Sequence, residues 1–151
     1  MKKVLNVVVT LCVLLAFLGG AQAAPKPDDA VHYRQGVLMA LGWNIGPMGA
    51  MVQGKVPFDK ERFAFLADRV AQLAPMVVEG FDVSTKDAKS EARPELWENL
   101  PDFQKRMSDL ASASQKLAIV AGEGDKAAMK RQFGVTVKMC KGCHDEYRVK
   151  H

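Results

Sequence analysis

The chain has 151 residues, 48% of them apolar and 25% charged, with a formal net charge of +4 and a sequence pI near 9.0. That is enough for one domain built around a single core. The basic balance does not indicate nucleic-acid binding, because Lys and Arg are mixed with acids and never run together with interleaved aromatics.

The first residues read as an export address. Lys2 and Lys3 form a positive start, Val4 to Leu18 an apolar stretch, and Ala21-Gln22-Ala23 a small-residue cleavage site. The apolar stretch is short for a membrane span of about 20 residues. Cys12 follows bulky Leu11, where a lipoprotein signal would want a small residue, so it is discarded with the leader. Residues 1–23 are thus expected to be removed, leaving 24–151 as an exported domain with no membrane anchor, in a bacterial periplasm. Losing two lysines and no acids lowers the formal charge from +4 to +2.

Four segments with 3,4 apolar spacing follow, and none alternates with period two. The first carries Val31, Leu38, Leu41, Ile45, Met48 and Val52, with Arg34 in the one polar slot, and starts near Pro27-Asp28. Met39, Trp43, Gly46 and Ala50 make a second series on it, matched by Phe65 on the next segment; this is either a wide core stripe or a homodimer surface. The second segment carries Phe63, Leu66, Val70, Leu73 and Val77 behind Asp59 as N-cap. After a long connection, roughly Gly80 to Pro94, which is expected to touch a ligand, the third carries Leu96, Leu100, Phe103, Met107, Leu110, Leu117 and Ala121. The fourth, capped by Asp125, carries Met129, Phe133, Thr136, Cys140, Cys143 and Tyr147. Pro47 and Pro75 should bend the helices they fall in. The expected fold is all-α, an antiparallel four-helix bundle.

Cys140-Lys141-Gly142-Cys143-His144 spells C-x-x-C-H, the attachment sequence for a c-type haem. Two thiols add across the haem vinyl groups, and the imidazole becomes an axial iron ligand. On a helix, positions i, i+3 and i+4 share a face, so all three groups can address one covalent haem c. A thioredoxin-like pair would lie at a helix start after a strand, and a structural zinc site would need four ligands. Neither suits two cysteines late in a terminal helix. No constellation of catalytic acid, base or nucleophile is apparent, so no enzyme activity is expected.

With this motif on the last of four helices, the chain resembles the cytochrome c′ family of class II c-type cytochromes. The resemblance extends over Lys26-Pro27-Asp28-Asp29-Ala30-Val31, Tyr33-Arg34-Gln35, Gly54 with Pro57-Phe58-Asp59, Ala92-Arg93-Pro94-Glu95-Leu96-Trp97 and the block from Cys140 to Arg148. It implies His144 as proximal ligand, Arg34 and Gln35 near the haem propionates, and Arg93 at the haem edge. It also implies Phe81 against the distal face and Arg148 on the proximal side.

The resemblance further places Leu38 where low-spin relatives carry a ligating methionine. Leucine has no donor atom, which implies five-coordinate, high-spin iron able to bind nitric oxide and carbon monoxide, with electron transfer to an unidentified redox partner as a second role. A pocket of Leu38 and Phe81 gives dioxygen no hydrogen-bond donor. The alternative is a six-coordinate electron carrier with Met39, one residue and about 100° further round the helix, as sixth ligand. Many family members pair through helices one and two, and the resemblance thus implies the dimer reading of the second stripe. They can also hold nitric oxide on the proximal face.

Overall fold

Pro27 fixes a helical φ at the first turn, and Asp28 and Asp29 place carboxylates near its free N–H groups, so α1 runs Pro27–Val52. The computed structural model describes residues 25–81 and 85–150, so the expected leader lies outside the described residues. Pro47 sits inside α1 without ending it. Gly54, at φ 72°, turns the chain in a conformation costly for other residues.

The Asp59 side chain accepts the Arg62 N–H at 2.8 Å and opens α2, Lys60–Leu73. The expected bend at Pro75 takes a different form. The α-helix stops at Leu73, and Ala74–Gly80 continues as a 3₁₀ turn. Pro75 cannot donate the bond an α-helix needs there, and the tighter winding goes on without it.

The third segment also divides. Glu95–Glu98 forms a single turn, α3, and α4 begins separately at Leu100–Glu123 because Pro101 breaks the ladder. Gly124, at φ 76°, closes α4. Asp125 accepts the Ala127 N–H at 2.9 Å, as expected of the cap, and α5 runs Lys126–Tyr147.

α1, α2, α4 and α5 make the antiparallel bundle. α1 packs on α2, α2 on α4, and α4 on α5, while the backbones of α1 and α5 stay further apart. The core runs from Met48 and Met51 through Phe63, Leu66 and Val70 to Phe103, Leu117 and Met129, all buried. Phe63 stacks on Phe58 at 5.1 Å and meets Phe133 edge-on at 5.9 Å. The buried rings of Phe63 and Phe133 each contribute about 1.5–3 kcal/mol by leaving water.

Val37, Leu41 and Met48 are the buried apolar positions along this part of α1, and Leu38 is only half-buried. The first stripe therefore divides between two surroundings, with Val37 entering the core and Leu38 turning towards the gap beside α5.

Candidate functional site

A cavity of about 490 Å³ opens beside α1 and α5. That volume lies in the range of small-molecule and cofactor sites. Leu38, Leu41 and Ile45 line it from α1, Phe103, Met107 and Leu110 from α4, and Cys140, Cys143, His144 and Tyr147 from α5. Phe81, Ser90, Glu91 and Ala92 also line it. The long connection thus reaches the site, as its length suggested.

The helical spacing brings both cysteines and His144 to this one cavity. The thiols are not bonded to each other. Burial raises the Cys140 thiol pKa and pushes Cys143 up to about 11, so both are protonated at neutral pH. Cys140 donates weakly to the Thr136 carbonyl at 3.6 Å. A redox C-x-x-C pair would show the opposite shift, towards thiolate. Among the described residues, no group of three or more His, Cys, Asp or Glu could hold a metal ion. His144 stands at the solvent edge of the cavity. Partial burial, then the charge of Arg148, lowers its pKa and favours the neutral imidazole that can ligate iron.

One cluster that the sequence reading missed fixes this turn of α5. The Tyr147 hydroxyl donates to Asp102 Oδ2 at 2.5 Å, and Arg106 Nε donates to the same oxygen at 2.6 Å. Arg106 Nη1 reaches the Gly142 carbonyl at 3.4 Å, between the two cysteines. Arg106, then Tyr147, holds the Asp102 carboxyl below its ordinary range. Burial, then Asp102, pushes Tyr147 up to about 12. The only signal in the sequence was the i,i+4 pair Asp102 and Arg106.

Arg34 is 2% exposed and lines the cavity, with its guanidinium engaged by the connection. It donates to the Gly80 carbonyl at 2.6 Å, Thr85 Oγ1 at 3.0 Å and Ser90 Oγ at 2.9 Å. It also lies 4.4 Å above the Phe81 ring. Gly80 is held so close that an added Cβ would stand 2.6 Å from the Ala30 carbonyl oxygen. Arg34 thereby positions Phe81. Gln35 is exposed at the cavity wall.

Arg93 stands apart from the cavity lining, because its guanidinium is turned to Glu95 at 2.6 Å and to the Glu146 carbonyl at 3.0 Å. Arg148 does line the cavity, and Glu91 Oε2 accepts from its Nε at 2.8 Å and lies 2.7 Å from its Nη2. Arg93 N donates to the Tyr147 carbonyl and Val149 N to the Glu91 carbonyl, both at 2.9 Å, closing the connection onto the end of α5.

The family model for Cytochrome C′ matches residues 29–148. The chain belongs to the cytochrome c′ family. It is 36% identical to the cytochrome c′ of Halomonas halodenitrificans, over 82% of this chain and 98% of that protein. Among solved structures it is similar to a ferrous variant of Alcaligenes xylosoxidans cytochrome c prime with bound nitric oxide. That match has 30% identity and a TM-score of 0.78, covering 85% of this chain and 99% of the other. A cytochrome c′ described as having ligand-controlled dimer dissociation matches at 28% identity and a TM-score of 0.77, covering 85% and 100% of the two chains.

The cofactor of this cytochrome c′ is one covalent haem c. The residues present fit it, with an apolar cavity of sufficient size, two protonated thiols and an imidazole on one wall.

Proposed function

We propose that this cytochrome c′ is a periplasmic gas-binding protein with five-coordinate, high-spin haem iron, and that electron transfer is a second role. In this reading Cys140 and Cys143 form the thioethers and His144 is the axial ligand. When bound, the haem supplies an iron with one position open to a diatomic ligand.

The observation that carries the reading is the composition of the cavity beside Leu38. Leu38 and Phe81 present hydrocarbon and aromatic carbon there and donate no hydrogen bond. They exclude water from the open position and give polarised dioxygen no partner, while nitric oxide and carbon monoxide need none. Arg34, through its bonds to the Gly80 carbonyl and Ser90 Oγ and its position above the ring, keeps Phe81 in place. Gln35 and Arg34, which both line the cavity, are assigned to the haem carboxylates, and Arg93 contributes by fixing the loop. Arg148, tied to Glu91, borders the His144 side. The nitric-oxide-bound Alcaligenes relative supports the same ligand class.

Met39 keeps the six-coordinate reading in view because it borders the cavity. Its 75% exposure places it at the rim and weighs against it as a ligand. The test is a titration of the ferrous protein. Carbon monoxide should shift the Soret band, whereas air should oxidise the iron without a stable intermediate spectrum. A spectrum indifferent to carbon monoxide would overturn the proposal.

Residues 1–23 are proposed as the export leader and 24–151 as the mature domain. Among the described residues no helix is long and apolar enough to cross a membrane. The role proposed is binding and electron carriage, not catalysis.

We also propose a homodimer through α1 and α2. Met39, Trp43 and Phe65 are 75%, 79% and 52% exposed, so the second stripe is a surface and not a widened core. Gly46, within the stripe, has open space where a Cβ would stand, which suits close helix approach. Trp43→Glu should convert the dimer to monomer in sedimentation at low micromolar concentration. A wild-type protein that is already monomeric would remove the proposal.

A further inference from the structure

The outer face of α5 carries charge that gas binding does not use. Residues 126–147, which form α5, hold five Lys and Arg against two acids, a formal +3, whereas the rest of the mature chain holds fourteen against fifteen, a formal −1. The mature charge is therefore polarised onto the helix that bears the haem motif. Of its two acids, Asp145 is paired with Lys141. Lys126, Lys130, Arg131 and Lys138 enter no ion pair among the described residues.

Helical geometry turns part of this charge into a face. Met129, Phe133, Thr136, Cys140 and Cys143 point inward, which puts Arg131 and Lys138 on the opposite side, both exposed. Between them Gly134 has nothing within 4 Å of where a Cβ would stand, and Val135 is 44% exposed. The result is a flat, slightly apolar centre between cations. Lys141 continues the stripe to within one turn of His144.

We propose that this face docks an acidic one-electron carrier protein. The inference rests on the haem assignment to Cys140, Cys143 and His144. One electron leaves the partner and one reduces ferric iron to ferrous, or the reverse, with no proton or atom transferred. A carrier seated on α5 would be separated from the haem residues by one helix, about 10 Å across. Clustered charge raises the encounter rate with an oppositely charged partner, by about tenfold or more, and the effect falls with salt. An anionic membrane is a poorer occupant, since an interfacial helix inserts an apolar face and that of α5 is buried in the bundle.

The test compares Arg131→Glu/Lys138→Glu with Lys55→Glu/Lys116→Glu, which makes the same change in net charge off α5. Reduction of each ferric holoprotein by reduced flavodoxin, an acidic one-electron donor, is followed at the Soret band. The wild-type rate should fall with ionic strength. At low salt the α5 pair should slow it about tenfold and the control pair less than twofold. Equal slowing by both pairs would show that only net charge matters and would overturn the proposal. So would salt-sensitive cosedimentation with vesicles of phosphatidylglycerol and phosphatidylcholine that the α5 pair abolishes. Failure of the haem assignment would show separately, as a purified protein without a Soret band.

Discussion

Replacing Cys140 and Cys143 together with alanine should yield a folded bundle whose haem is lost to acid–acetone extraction. On a denaturing gel the wild-type band should retain haem stain and the variant band should have none. The reasoning is covalent. His144 alone offers one coordination bond, which acid breaks by protonating the imidazole, whereas a thioether survives both acid and detergent. The helices should tolerate the change because both cysteines are only half-buried and the core is built from Phe63, Phe103, Leu117 and Met129. Far-ultraviolet circular dichroism checks that point. A variant that keeps its haem through extraction would place the attachment elsewhere.

Leu38→Met should turn the iron from high spin towards low spin and weaken carbon monoxide binding at least about tenfold, the equivalent of about 1.4 kcal/mol. Leucine and methionine have nearly equal volume, so the fold should lose less than about 1.5 kcal/mol. What changes is chemistry. A thioether sulfur enters a wall that had no donor atom, and an incoming gas must then displace it. The same substitution at Met39 cannot be made, but Met39→Leu gives the converse check and should leave the spectrum unaltered. If Met39→Leu raised the spin state instead, the register of α1 against the cavity would be off by one residue.

Much of this molecule could be read from its sequence, and the reasons are local. Asp59 and Asp125 announced two helix starts because a carboxylate before an apolar run has few other uses. Cys140, Cys143 and His144 could be grouped because a helix fixes their relative directions from spacing alone. Periodicity marked Leu38 as an inward residue, and the family resemblance alone placed it in a pocket, since periodicity gives a direction and not what lies there. The 3₁₀ turn after Leu73 depended on how Pro75 was accommodated, and a bent helix and a tightened one share the same pattern. The acceptors that Arg93 and Arg148 take were harder to read. Long guanidinium side chains take whichever acceptor the tertiary fold brings near, here Glu95, Glu146 and Glu91. The Asp102–Arg106–Tyr147 cluster joins residues 45 apart in the chain, which no local pattern can reveal.

The central claim is a haem iron held on one side by His144 and facing hydrocarbon on the other. Electron paramagnetic resonance of the purified ferric protein at neutral pH tests it most directly. The account predicts the axial signal of high-spin or admixed-spin iron with five ligands. A rhombic low-spin signal, from a methionine or a second imidazole on the Leu38 side, would contradict it.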